Sequence, residues 1–167
     1  MVEPWLRGTH TDVDAVTRQV LHALELADED VARWCNGLTD AEMNARPYGL
    51  APLAFHLRHI ARSLDRLLSY AEGTQLDATQ KAALQSELDG IATREGVLAG
   101  FTAALRTSAA RIRAFSPDHY NTARGVGRAE LPTTIGGLLV HCADHTQRHV
   151  GQAVITAKVV VAMRNTA

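Results

Sequence analysis

The chain has 167 residues with 17 basic and 18 acidic side chains, and only two cysteines; that length fits one domain over residues 1–167, able to bury a core without disulfides or a structural metal. With no basic run and no aromatic-basic patch there is no electrostatic footprint for nucleic acid, and two distant cysteines outside any Cys-x-x-Cys pair exclude a disulfide scaffold and point to a reducing cytoplasm. The start "MVEPWLRGTH" lacks the apolar centre of an export signal, and the apolar tail from Val154 to Met163 is short and interrupted by Lys158, so no membrane span is expected.

In chain order, Val13, Val16, Val20, Leu24, Val31 and Trp34 recur at the helical period and predict a first helix over about Thr11 to Leu38, with Trp34 and Cys35 in its core face. "TDAEMNARPYG" breaks it, and Pro52 can open the next element. A second helix follows from about Pro52 to Glu72, with Leu57, Ile60, Leu64, Leu67 and Leu68 on its apolar side, and Gly73 ends it. Residues 77–115 are Ala-, Leu- and Glu-rich and read as a third helix, divided or bent near "LDG" at 88–90 or at Gly96 and Gly100, with a short helix allowed before it. Residues 116–132, with two prolines, two glycines and little periodicity, form a long connection. A fourth helix then starts near Thr133 or Thr134, either of which can cap it, and runs to about Val160. No segment alternates long enough to be a strand, and no repeat appears. The fold class expected is all-α, a four-helix bundle with a long connection before the last helix.

Five of the eight histidines fall in "FHLRH" (His56 and His59) and "HCADHTQRH" (His141, His145 and His149), each inside a predicted helix. At 100° per residue, His145, His149 and Gln152 share a sector of about 60°, with His141 and Cys142 at its edges. Stacked imidazoles on a buried face need a partner, either a metal ion or a hydrogen-bonded core network. The H-x3-H pair presents two ring nitrogens to one ion from consecutive turns, and an imidazole from another helix completes a facial triad with an open position. Such a set accepts zinc or nickel first among the candidates, with iron and manganese also compatible.

"HTQRHVGQ", an H-x3-H pair followed after one residue by Gly-Gln, together with "FHLRHIARSLDRLL", resembles the DinB-like (damage-inducible protein B) superfamily. The resemblance covers nearly the whole chain and is strongest in the second and fourth helices. It implies a four-helix bundle that holds a divalent metal through one histidine of the second helix and the pair of the fourth. Carried over, the ligands are His59, His145 and His149, with His59 preferred to His56 because "HIARSLD" continues as that helix does in the superfamily. His56, His141, Cys142 and Gln152 are then candidates to orient a ligand or to touch substrate, beside the plainer readings of packing and, for Cys142, of a small buried hydrophobe.

Relatives in that superfamily include thiol transferases using bacillithiol or mycothiol, a mycothiol-dependent maleylpyruvate isomerase, and the metal-binding domain of ergothioneine-synthesising enzymes. The resemblance therefore implies a metal-dependent S-transferase in which a metal-bound thiolate attacks an electrophilic small molecule, with a low-molecular-weight thiol as cosubstrate and a homodimer as the assembly. The same ligands suit a hydrolase using metal-bound hydroxide, or a non-catalytic metal-binding bundle. Tyr48, Ser63, His119 and Tyr120 are rim candidates for substrate contact beside an ordinary surface reading. Asp144 suits a solvated contact, and His10, His22 and His119 read as surface or loop residues.

Overall fold

A computed structural model describes residues 2–87 and 91–164. The described chain is mostly helical, and its elements follow from local signals. Helix α1 (Ala15–Cys35) starts where the Asp14 carboxylate accepts from the amides of Val16 and Thr17, later than the periodicity alone suggests. The break after it holds a single turn, α2 (Asp40–Met43), closed by a capping box between Thr39 and Glu42. A 3-10 turn at Pro47–Gly49 carries Tyr48 at φ 51° and leads into α3 (Leu53–Ala71), with Pro52 at its N-cap.

Gly73 ends α3 as expected. At φ 83° it lets its own amide reach the Tyr70 carbonyl while Thr74 reaches Ser69, which satisfies two carbonyls of the last turn. The expected third helix is two helices, α4 (Ala78–Gln85) and α5 (Arg94–Arg113), each with its own cap at Asp77 and Thr93. Gly96 and Gly100 lie inside α5 without ending it. The break expected at 88–90 lies outside the described residues.

The connection of residues 116–132 departs most from expectation. It contains a 3-10 turn at Pro117–His119 and a hairpin of β1 (Ala123–Val126) and β2 (Leu131–Thr134), paired antiparallel with Ala123 opposite Thr134. Four-residue strands are too short to show alternation, and Pro132 argues against a strand; a two-stranded ribbon tolerates it because each strand has a free edge. Gly125 is needed there, since a Cβ would come within 2.9 Å of the Glu130 Cβ. The hairpin is fastened to the helices by Arg124, whose Nε donates to the Ala71 carbonyl at 2.8 Å.

Helix α6 (Ile135–Arg164) begins as β2 ends, and Thr134 caps it by accepting from the Gly137 amide at 3.0 Å. Carbonyls of Thr122 and Tyr120 accept from the Ile135 and Gly136 amides, so the connection completes the helix start. The four long helices pack pairwise, α1 and α3 each against both α5 and α6. Their shared core includes Phe101, Leu57, Ile60, Leu64, Leu139 and Val150. Cys35 is fully buried in it, while Trp34 is half-buried at its edge beneath the Lys158 ammonium, 4.4 Å from the ring centre. Among the described residues no helix is long and apolar enough to cross a membrane.

Tyr120 pins the connection to α1. Its hydroxyl donates to Asp14 Oδ2 at 2.7 Å and also meets the Thr17 hydroxyl, so the same carboxylate caps α1 and holds the loop. Tyr120→Phe is expected to cost about 1–2 kcal/mol, read as a lower urea midpoint with unchanged slope. An unchanged midpoint would mean the contact is replaced by water at no cost.

Candidate metal centre

Helices α3 and α6 bring the two histidine segments together. One ligand nitrogen from each of His59, His145 and His149 lies within 4.8 Å of the others. The closest pair, His59 Nε2 and His145 Nε2, is 3.2 Å apart, and the ring centres of His59 and His149 are 4.4 Å apart. Two nitrogens bound to one tetrahedral zinc are about 3.3 Å apart, given metal–nitrogen bonds of 2.0–2.1 Å. The donor set therefore fits a divalent ion.

The protonation states also fit. Burial, reinforced by repulsion from neighbouring imidazoles, lowers the pKa of His145 and His149 to about 4. His56 is lowered to about 4 by the same two causes, burial first. At neutral pH all three rings are uncharged, as a metal requires of its imidazole ligands.

In His59 and His149 the nitrogen not used for chelation has a partner. His59 Nδ1 lies 2.6 Å from Glu87 Oε2, while Glu87 Oε1 accepts from Arg66 Nη1 at 2.6 Å. Burial opposes ionisation of Glu87, but the hydrogen bonds from Arg66 and His59 outweigh it and hold the carboxyl below the usual carboxylate range. An ionised Glu87 accepts the His59 Nδ1 proton and leaves the Nε2 lone pair facing His145. Sequence reasoning missed Glu87, Arg66 and also Phe55, whose ring stacks on His59 at 5.3 Å. Nothing local marks Glu87, which is one more polar residue after a helical stretch until the fold buries it against His59.

His56 lies beside the triad rather than in it, with its Nδ1 3.1 Å from His149 Nδ1. It is buried, and one of the two nitrogens donates to the other. His141 turns to Asp144, 2.8 Å away on the same helix, and Asp144 also meets Arg148 at 3.5 Å. Cys142 faces the core, where burial pushes its thiol up to about 12; Cys35 is pushed up to about 11 in the same way. Neither supplies a reactive thiolate at neutral pH. Gln152 is exposed and lines a cavity with His56 and His149. Ser63 is buried against His59, its Oγ 3.5 Å from Nε2. Tyr120 is committed to Asp14, and His119 is exposed on its 3-10 turn.

Two histidines read as surface or loop residues form a second cluster with Glu25. His22 is buried, its Nε2 3.0 Å from Thr9 Oγ1, and His10 Nε2 is 2.6 Å from Glu25 Oε1. Arg113 Nη2 donates to His10 Nδ1 at 2.5 Å, so the His10 proton sits on Nε2 and points at Glu25. A cation at Nε2 would require both ring nitrogens to lose their protons while that bond stood. The arrangement is a clamp between the N-terminal segment, α1 and α5.

Lowered imidazole pKa values set the acid stability of the metal-free protein. The unfolded chain protonates these rings near 6.5 and the folded chain near 4, so between those values the unfolded state binds more protons. Stability is full above pH 6.5 and falls progressively down to about pH 4. A total loss of roughly a few kcal/mol is expected after allowing for the partial exposure of His145 and His149. Urea unfolding in chelator at pH 7 and pH 4.5 measures it, and equal midpoints would contradict it.

Similarity to known proteins identifies the family and supports the fold. The family model described as the DinB superfamily matches residues 23–153. A conserved protein from Enterococcus faecalis, known from its crystal structure, is 19% identical with a TM-score of 0.73, covering 90% of this chain and 99% of that one. At that identity the likeness speaks for the fold alone. No curated protein matches the chain.

Proposed function

The chain belongs to the DinB superfamily, and from that premise we propose that it is a metal-dependent enzyme joining a low-molecular-weight thiol to an electrophilic small molecule. The observation that carries the reading is the convergence of three imidazoles from α3 and α6, with ligand nitrogens within 4.8 Å of one another and the pKa of His145 and His149 lowered by burial. His59, His145 and His149 would hold the ion, zinc or nickel ahead of iron or manganese. A divalent ion there supplies the positive charge that keeps a thiol deprotonated at neutral pH.

The protein's own groups do the positioning. Glu87 fixes the His59 tautomer, His56 pairs with the Nδ1 of His149, and Phe55 braces the His59 ring. Neither cysteine is a nucleophile in this scheme, which agrees with their raised pKa values. The reading takes residues 1–167 as one four-helix-bundle domain of the superfamily's type, working in the cytoplasm as a homodimer on small molecules.

The test is metal analysis by elemental mass spectrometry on untagged protein, followed by thiol consumption. Cysteine, glutathione and mycothiol are each offered with 1-chloro-2,4-dinitrobenzene, before and after chelation. Near one metal per chain and chelator-sensitive thiol conjugation are expected. Bound metal without conjugation of any thiol overturns the transferase reading, and absence of metal after anaerobic reconstitution overturns the metal centre itself.

A further inference from the structure

A cavity of about 720 Å³ opens beside the triad, with His56 and His149 in its wall. Its volume lies in the range of small-molecule sites, and most of its wall is apolar. Phe55, Leu50 and Ile155 supply that surface, and Leu50 and Ile155 remain 39% and 56% exposed, so core packing does not account for them. Two apolar side chains left in water at the mouth of one cavity are what a ligand's apolar body would cover.

The polar groups in the wall are uncharged at neutral pH apart from one guanidinium. No carboxylate lines the cavity, and Arg148 is its single permanent charge. The Arg148 side chain is 59% exposed, and among the described residues its one ion pair is a 3.5 Å contact with Asp144, one turn back on α6. A contact that long and that exposed is weak, so the guanidinium can turn to a stronger acceptor at little cost. Gln152 adds an amide on the same wall, one turn beyond Arg148.

We propose that this cavity binds an amphipathic organic anion, with its apolar body against Phe55, Leu50 and Ile155 and its anionic group on Arg148. The proposal rests on the reading of the triad as the reacting centre only in making this anion the substrate's class; the binding itself needs no metal. Arg148 and Ile155 set specificity, the first choosing the head group by charge and the second the body by burial. Neutral and cationic amphiphiles of the same length bind more weakly, the cation least.

The experiment titrates octanoate, octan-1-ol and octylammonium into metal-loaded and chelator-treated protein by calorimetry. Octanoate is expected to bind at least about tenfold more tightly than octylammonium in both forms, because attraction to Arg148 replaces repulsion. Arg148→Gln should remove that preference in the chelator-treated form and leave octan-1-ol unchanged, while the uncharged Ile155→Ser should weaken all three by tenfold or more. Both side chains are largely exposed, so neither variant threatens the fold, and circular dichroism with metal analysis verifies this. Equal affinity for the three probes, no binding of any, or unaltered binding by Ile155→Ser overturns the proposal. Selective octanoate binding by a protein that takes up no metal would sink the metal reading and leave this one standing; stoichiometric metal with no octanoate binding does the reverse.

Discussion

His59→Ala, His145→Ala and His149→Ala are each expected to weaken metal binding by roughly two orders of magnitude, enough to strip the ion during purification. The size follows from structural zinc sites, where about 10–16 kcal/mol is spread over four ligands, so that one ligand is worth about 3 kcal/mol. His56→Gln and His141→Ala are the controls that make the result specific. His56 meets the triad through the Nδ1 of His149, and a glutamine can keep a hydrogen bond there, so metal affinity should fall by about tenfold at most. The His141 side chain is 44% exposed and pairs with Asp144, so its loss should leave metal content unchanged. Titration with a chromophoric chelator competitor measures all five. If His56→Gln loses metal as fully as His59→Ala, the ligand from α3 has been misassigned between the two histidines.

The expected hierarchy also marks what could be read before any coordinates. A spacing of four on α6 forces His145 and His149 onto one face, but periodicity on α3 leaves His56 nearer the apolar side than His59, and the resemblance of "HIARSLD" to the superfamily is what singles out His59. The same local logic placed α1, α3 and α6 and the glycine stop at Gly73. It failed where the decisive contact is distant in sequence. The hairpin of β1 and β2 has four-residue strands and is held by Arg124 reaching the Ala71 carbonyl, 53 residues away. His22 looked like one polar residue among many because the Thr9 hydroxyl that satisfies it comes from a segment with no regular structure signal.

Glu87 is the extreme case of such a distant contact, and its replacement should have the second large effect. Glu87→Ala leaves Arg66, whose side chain is only 12% exposed, without its carboxylate and His59 Nδ1 without its acceptor. Breaking a buried ion pair from one side costs about 3–5 kcal/mol, of which the lower end is expected because Arg66 Nη2 still donates to Ser63 Oγ at 2.9 Å. Metal affinity should drop by a further 10–100-fold through loss of His59 orientation. A purely structural role for Glu87 predicts the first effect without the second, so the two must be measured separately, by urea unfolding of the metal-free variant and by metal titration at a temperature where it is folded. Glu87→Gln separates them from the other direction. Its amide oxygen can accept the His59 Nδ1 proton while its amide group faces Arg66 without charge, so metal affinity should recover to within about tenfold of wild type while stability stays low. Nitrogen-15 spectra of the His59 ring supply the reading that stability alone cannot: a proton on Nδ1 in wild type and Glu87→Gln, and a mixture of tautomers in Glu87→Ala. Retention of the Nδ1 tautomer in Glu87→Ala would show that the carboxylate does not orient this ligand, and that its burial serves Arg66 alone.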